Sequence, residues 1–140
     1  MHDVYMKKAL ELASKGGINV KPNPLVGAVI VKNGHVIGEG YHQTYGEAHA
    51  EIQAFNHAIE DVQGATMYVT LEPCSHHGKT GSCAKKIIEK GIKEIYVATL
   101  DPNPLVSGIG IQMLKDAGII VHTGLFQKES DALNKHYYHY

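Results

Sequence analysis

The stretch LVGAVIVKNGHVI, residues 25–37, decides how the fold begins. Valine and isoleucine dominate residues 25–31, and β-branched residues favour strands. Asn33-Gly34 follows, and then Val36-Ile37. An Asn-Gly pair between two apolar runs is the strongest short-range indication of a β-hairpin. The sequence therefore predicts two antiparallel strands joined by a tight turn.

The remaining elements follow from the hydrophobic period along the chain. Apolar residues three and four positions apart predict helices, and short β-branched runs predict strands. Ile52, Phe55 and Ile59 are expected to face the core from the second helix. Helices are predicted from Asp3, as the cap, to Gly16-Gly17, at 49–59, 83–90 and 110–117, and from Gln127 onward; further strands are predicted at 67–71, 95–99 and 119–121. The order αββαβαβαβα predicts an α/β fold, a three-layer α/β/α sandwich with a mixed five-stranded sheet.

Length and charge limit the function. The 140 residues are enough for one core. The 13 Lys and Arg nearly balance the 14 Asp and Glu, so no net field favours nucleic acid or a membrane surface. The amino terminus lacks a charged-then-apolar leader and the chain has no long apolar run, so we expect a cytoplasmic protein with reduced thiols.

One imidazole, one carboxylate and two thiols form the candidate active site. Residues 49–51 read His-Ala-Glu, and Cys74 and Cys83 are the only cysteines. Catalytic zinc usually takes three protein ligands and leaves a fourth position to water, and a non-ligating carboxylate such as Glu51 can then transfer protons. Singly, each cysteine is more often a packing residue, and Glu51 fits the first turn of any helix. Together they favour zinc over a disulfide.

The spacing of His49 and Glu51 restricts where such a site can lie. Residues i and i+2 of a helix interior do not face each other, so these two side chains converge only from a first helical turn. If the cysteines also lie at helix starts, unpaired N–H groups stabilise their thiolates. Ser82 is the predicted N-cap of the helix that begins at Cys83.

The prolines give a second indication of a binding site. The pentapeptide Pro-Asn-Pro-Leu-Val occurs at 22–26 and again at 102–106. Proline fixes φ, so both copies are expected to be rigid loops. Asn23, Asp101 and Asn103 would then offer donors and acceptors to a polar heterocycle, or else close Asx turns with their own backbone.

These motifs carry a resemblance to a known family. LEPCSHHGKTGSC, KPNPLVGAVIVKNG, HAE and ATLDPNPLVSGIGI resemble the diaminohydroxyphosphoribosylaminopyrimidine deaminases of riboflavin biosynthesis over essentially the whole chain. The C-x8-C spacing is specific to that branch, whereas cytidine, guanine and tRNA adenosine deaminases usually have C-x-x-C. The resemblance implies the cytidine deaminase-like fold, Zn2+ held by His49, Cys74 and Cys83, and Glu51 as the proton shuttle. Gly81-Ser82 stands where the family usually has two prolines.

The resemblance also implies a substrate and a reaction. The substrate is 2,5-diamino-6-(5-phosphoribosylamino)pyrimidin-4(3H)-one, and hydrolysis of its 2-amino group yields 5-amino-6-(5-phosphoribosylamino)uracil and ammonia. Lys79, His76 and His42 are the candidates for binding the substrate phosphate. Without the motif, Lys79 is equally well an exposed loop lysine.

The family also indicates a partner. Its deaminase is commonly joined to a carboxyl-terminal reductase, so residues 1–140 are expected to be a zinc-dependent deaminase domain without that reductase, either as a separate enzyme or as part of a bifunctional one. The tyrosine-rich end, residues 134–140, is suited to a contact with such a domain or with a second copy in a homo-oligomer. Two alternatives remain: a deaminase of another nucleobase, and a non-catalytic zinc module closed by His76 or His77.

Overall fold

The computed structural model describes residues 2–16, 25–42, 49–75 and 82–134. Within these ranges the chain forms five helices and five strands in the predicted order. They are α1 (His2–Ser14), β1 (Gly27–Lys32), β2 (His35–Tyr41), α2 (Ala50–Asn56), β3 (Thr66–Leu71), α3 (Cys83–Glu89), β4 (Glu94–Thr99), α4 (Ile109–Asp116), β5 (Ile120–Thr123) and α5 (Gln127–Leu133). None of the helices in these ranges has the length and apolar character needed to cross a membrane.

The five strands form one mixed sheet, as predicted. Their order is β2-β1-β3-β4-β5. β1 is antiparallel to β2 and β3, whereas β3, β4 and β5 run parallel. The hairpin turn has positive φ at both Asn33 (53°) and Gly34 (77°), which is the geometry that matches the twist of the flanking strands.

Helices cover both faces of the sheet. Side chains of α2, α3 and α4 pack with Met67 and Val69 of β3 in the larger core cluster. Tyr68 points to the opposite face, where it packs with α1 and with Leu125 and Phe126, which precede α5. Successive residues of a strand face opposite sides, so β3 contributes to both cores. The predicted three-layer α/β/α sandwich is confirmed.

α2 is shorter than its hydrophobic pattern predicted. It ends at Asn56, and Ile59 is 79 % exposed, so the expectation that Ile59 faces the core was wrong. The Ile59 amide donates to the Ile37 carbonyl at 2.9 Å, which ties the chain to β2 after the helix has ended. Ile59 lies outside the helix, so the helical spacing that would have turned its side chain toward the core does not apply to it.

The side of α2 that faces the sheet is instead lined by small residues. Ala50 and Ala54 are fully buried against β2. A Cβ at Gly40 would lie 2.4 Å from the Ala50 carbonyl oxygen, and one at Gly38 would lie 2.5 Å from that of Ala54. Only glycine permits this close approach. The contact fixes the first turn of α2, where two of the candidate site residues lie.

α1 ends at Ser14, close to the predicted end near Gly16-Gly17, and differs from its prediction at its start. The helix begins at His2, so Asp3 lies within the first turn and does not cap it. A carboxylate in a first turn still interacts favourably with the helix dipole.

Candidate active site

Three elements bring the candidate metal ligands together. His49 is the N-cap residue of α2, Cys83 is the first residue of α3, and Cys74 lies just beyond the end of β3. In α/β folds the carboxyl ends of parallel strands are the usual place for a site. His49 and Glu51 lie at the start of α2, as their spacing predicted, and the roles assigned to them stay predictions.

The distances between the ligand atoms suit zinc. His49 Nδ1 lies 3.3 Å from Cys83 Sγ and 3.9 Å from Cys74 Sγ. Zn–S bonds of about 2.3 Å and Zn–N bonds of about 2.0–2.1 Å place neighbouring ligands of a tetrahedral ion about 3.5–3.8 Å apart. Both cysteines are free thiols. Among the described residues, this is the one group of three or more His, Cys, Asp or Glu that converges in this way.

The two cysteines also interact with each other. The Cys83 amide donates to Cys74 Sγ at 3.2 Å. Hydrogen bonding from the Cys83 side chain lowers the pKa of Cys74, and hydrogen bonding to Cys74 together with burial raises the pKa of Cys83. A hydrogen bond with Cys74 raises the pKa of His49. The site therefore favours one thiolate and one thiol, and binding of a metal through both sulfurs would release a proton.

Ser82 joins the two cysteine-bearing segments. Its Oγ accepts from the Lys85 amide at 3.2 Å, which confirms the predicted N-cap. The same hydroxyl donates to the Cys74 carbonyl oxygen at 2.9 Å. The serine thus connects the start of α3 to the chain at Cys74.

Glu51 is buried beside the ligands. It is only 3 % exposed, on the first turn of α2. Burial raises the pKa of its carboxyl to about 7, while the nearby His49 opposes the rise. A carboxyl that titrates near neutral pH can both accept and donate protons at that pH.

His42 lies next to His49. Their ring centroids are 5.3 Å apart with the planes at 89°, and His42 is 2 % exposed. Its amide donates to the Val26 carbonyl oxygen at 3.1 Å, which fixes the chain just after β2. The structure therefore places His42 at the site, and its contact with the substrate phosphate stays a prediction.

Asp101 and Asn103 follow β4 and form two successive Asx turns. Asp101 Oδ1 accepts from the Asn103 amide at 2.9 Å, and Asn103 Oδ1 accepts from the Leu105 amide at 3.0 Å. These are the backbone contacts that the sequence left as an alternative to substrate binding. Each of the two turns uses one side-chain oxygen. Binding of a heterocyclic substrate by these two residues stays a prediction.

Comparison with known proteins identifies the family. The model of the cytidine and deoxycytidylate deaminase zinc-binding region matches residues 1–99. The chain is 50 % identical over 134 residues to the diaminohydroxyphosphoribosylamino-pyrimidine deaminase of Buchnera aphidicola subsp. Schizaphis graminum, with 96 % of the chain and 91 % of the relative covered. The chain belongs to this deaminase family.

Other members of the family are longer. The chain is 53 % identical over 140 residues to the riboflavin biosynthesis protein RibD of Bacillus amyloliquefaciens and spans 38 % of that protein. A solved diaminohydroxyphosphoribosylaminopyrimidine deaminase/5-amino-6-(5-phosphoribosylamino)uracil reductase of Thermotoga maritima is 48 % identical, with a TM-score of 0.93 over 97 % of this chain and 40 % of that one. The chain thus spans about two fifths of these two relatives. The fold predicted from the sequence is the fold of the family.

Several residues predicted for this deaminase site lie outside the described residues. They are Asn23, His76, His77, Lys79 and Gly81. Their predicted roles stay predictions.

Glu72 is a residue of the site region for which the sequence predicted no role. Glu72 is 6 % exposed and directly follows β3, the strand that leads to Cys74. Its carboxylate accepts hydrogen bonds from three backbone amides beyond β4. An acidic residue directly after a strand without charged residues is the feature that could have indicated it, because a buried carboxylate needs donors.

Proposed function

We propose that the protein is a zinc-dependent deaminase of riboflavin biosynthesis. It would convert 2,5-diamino-6-(5-phosphoribosylamino)pyrimidin-4(3H)-one and water into 5-amino-6-(5-phosphoribosylamino)uracil and ammonia. The observation that carries the proposal is the convergence of His49, Cys74 and Cys83 beside the buried carboxyl of Glu51. The name of the Buchnera relative, of which the chain covers 91 %, supports the choice of substrate.

The proposed ligand set determines the chemistry. A bound zinc ion would act as a Lewis acid and lower the pKa of a water molecule on it to about 7. His49, Cys74 and Cys83 would hold it, and three protein ligands leave a coordination position for a reactant. His42 packs edge-on against the His49 ring, and this contact restricts the orientation of that ring.

Glu51 would transfer the protons of the reaction. Water adds to the ring carbon that bears the 2-amino group, and the C–N bond to that group then breaks. Glu51 would take one proton from the attacking water and deliver it to the adjacent ring nitrogen. It would then move the remaining proton, from the hydroxyl added to the ring carbon, to the departing amine, so that the C=O bond forms as ammonia leaves. Burial raises the pKa of Glu51 to about 7, so both of its protonation states are accessible near neutral pH.

Six residues are proposed to bind the substrate. Asn23, Asp101 and Asn103 would contact the polar edge of the pyrimidine, and His42, His76 and Lys79 would contact the phosphoribosyl part. The position of Asp101 and Asn103 directly after β4, which pairs with the strand leading to Cys74, supports the first group. A charged hydrogen bond suits a phosphate, which supports Lys79.

The proposed reaction also suggests a partner enzyme and a cellular location for the protein. Residues 1–140 would form one deaminase domain that works with the reductase of the same pathway, in one chain or in two. The Thermotoga relative, a deaminase/reductase, supports that pairing. We propose a cytoplasmic location, where the two free thiols stay reduced, and a homo-oligomer as the assembly to be tested.

The experiment that tests the function measures ammonia release together with bound zinc. The zinc-loaded protein is assayed with the pathway pyrimidine, cytidine and guanine, and with Glu51→Gln as the matched variant. Release from the pyrimidine alone, lost in Glu51→Gln by about 10²–10⁴-fold at unchanged zinc content, is the expected result. A zinc-loaded protein without turnover of the pyrimidine would refute the proposal, and turnover of guanine or cytidine instead would assign another nucleobase.

A further inference from the structure

Glu72 is a buried acidic residue that the proposed reaction does not use. It directly follows β3 and precedes Pro73-Cys74, and it is 6 % exposed. A buried carboxylate is costly unless hydrogen bonds satisfy its oxygens. Within the described part of the chain, its hydrogen-bond donors are all backbone amides of one region, residues 101–111.

The three amides lie at both ends of one loop. Oε1 accepts from Asp101 at 3.0 Å and from Gly108 at 2.9 Å, and Oε2 accepts from Ile111 at 3.2 Å. Asp101 begins the loop after β4, Gly108 ends it, and Ile111 belongs to the first turn of α4. One carboxylate therefore holds the entry and the exit of the loop 101–108 together.

Glu72 also supplies the cap that α4 lacks in its own sequence. The N-cap residue of α4 is Gly108, with φ +85°, and it has no side chain to accept from the first turn. Ser, Thr, Asp and Asn are preferred at this position because their side chains accept from the second or third helical residue. Here the third residue is Ile111, and its acceptor is the carboxylate of Glu72, which follows β3. The negative charge also complements the helix dipole.

Close packing links this unit to the metal-ligand segment. A Cβ at Gly110 would lie 2.1 Å from the Pro73 carbonyl oxygen, so α4 begins in direct contact with the residue before Cys74. The Glu72 amide donates to the Thr99 carbonyl oxygen at 2.9 Å and continues the pairing of β3 with β4. The loop is thus fixed to the same short segment that carries Cys74.

We propose that Glu72 is a positioning residue, which holds the loop bearing Asp101 and Asn103 at a fixed distance and orientation from Cys74. The two Asx turns shape the loop internally, and the Glu72 carboxylate fixes that shape relative to the metal ligands. A heterocycle bound by the loop would then lie at the correct distance from the reacting groups. This inference rests on the proposed function.

The first test measures how firmly Glu72 holds the loop 101–108, and it does not depend on enzyme activity. Glu72→Gln replaces one acceptor oxygen by an NH2 group that faces the amide donors, and Glu60→Gln is the matched control at an exposed glutamate. Hydrogen exchange is followed at the Asp101, Gly108 and Ile111 amides of the zinc-loaded proteins. Exchange at least about tenfold faster in Glu72→Gln alone is expected, because lost protection reports local opening. Unchanged exchange overturns the inference, whether or not the enzyme is active.

The second test uses steady-state kinetics on the pathway pyrimidine, normalised to bound zinc. Glu72→Gln should lower kcat/KM by about 10–100-fold, mainly through KM, because a small displacement of a binding group has effects of this size. Asn103→Ala combined with Glu72→Gln should cost less than the sum of the two single losses, since both act through one loop. A merely structural Glu72 would lower the melting temperature and leave kcat/KM per zinc within twofold of the parent, which overturns the inference.

Two further outcomes separate the possible failures. If Glu72→Gln does not fold, Glu72→Asp takes its place. This variant keeps the carboxylate, but its side chain is one methylene shorter and lies farther from the three amides. The same changes in hydrogen exchange and in kcat/KM are expected of it. A parent protein without turnover refutes the proposed function, and with it the claim that the loop faces a substrate. A parent with normal turnover beside an unaffected Glu72 variant refutes the role of Glu72 alone.

Discussion

Ser82→Ala removes the hydroxyl that connects the two cysteine-bearing segments. The serine is 3 % exposed and makes two hydrogen bonds, one from the Lys85 amide at 3.2 Å and one to the Cys74 carbonyl oxygen at 2.9 Å. Loss of an N-cap costs about 1 kcal/mol. The Cys74 carbonyl still accepts from the Ala84 amide at 3.0 Å, so the second loss is an ordinary one of about 0.5–1.5 kcal/mol. Together they lower the free energy of unfolding by about 2 kcal/mol.

Urea unfolding of the zinc-loaded protein measures this change. With a slope of about 2 kcal/mol per M, the midpoint should fall by about 1 M. Free zinc is kept equal in all samples, because metal binding contributes to apparent stability. Ser14→Ala is the control, since its hydroxyl makes an exposed bond to the Glu11 carbonyl oxygen, and it should shift the free energy by less than about 0.5 kcal/mol. A Ser82→Ala shift as small as that of the control would refute the connecting role.

Three further predictions concern single residues. Cys83→Ser should lower bound zinc and the melting temperature together, measured by metal analysis and calorimetry, because affinity for a structural or catalytic metal is coupled to folding; full zinc retention would remove Cys83 from the ligand set. Asn134→Ala should lower the free energy of unfolding, measured in urea, by about 2–4 kcal/mol. The fully buried side-chain amide of Asn134 accepts from the Leu25 backbone N–H at 2.6 Å and donates to the Leu25 carbonyl oxygen at 2.9 Å, and both backbone groups would lose this partner. A loss below about 1 kcal/mol would contradict this. Lys79→Ala should lower kcat/KM for the phosphorylated substrate by a factor that corresponds to about 1.5–3 kcal/mol, and should have little effect on kcat/KM for the dephosphorylated substrate. Equal losses on both substrates would show that Lys79 does not bind the phosphate.

The sequence predicted the secondary structure well where turn, cap and helix-end residues mark the boundaries of an element. The Asn33-Gly34 turn, the Ser82 cap and the helix end near Gly91 are all confirmed, because each depends on residues only a few positions apart. The pattern failed at Ile59, where a backbone hydrogen bond to Ile37 replaced the helix. That contact joins different elements, and no periodicity of one segment contains it.

The sequence by itself predicted where in the fold His49 and Glu51 lie. His49 and Glu51 are two positions apart, and that spacing leaves the first turn of a helix as the only place from which both can reach one point. The residue types of His49, Cys74 and Cys83 then indicated the metal class. These conclusions needed only local geometry and the chemistry of the side chains.

The tertiary structure alone decided how the site is held. Glu72 contacts amides 29 to 39 positions away, and Asn134 contacts Leu25 across 109 positions. His42, directly after β2, contacts the ring of His49 at the start of α2. Such partners are set by the strand order β2-β1-β3-β4-β5 and by the packing of helices on the sheet. A buried polar side chain indicates that it needs a partner, but only the folded chain determines which backbone group comes within hydrogen-bonding distance.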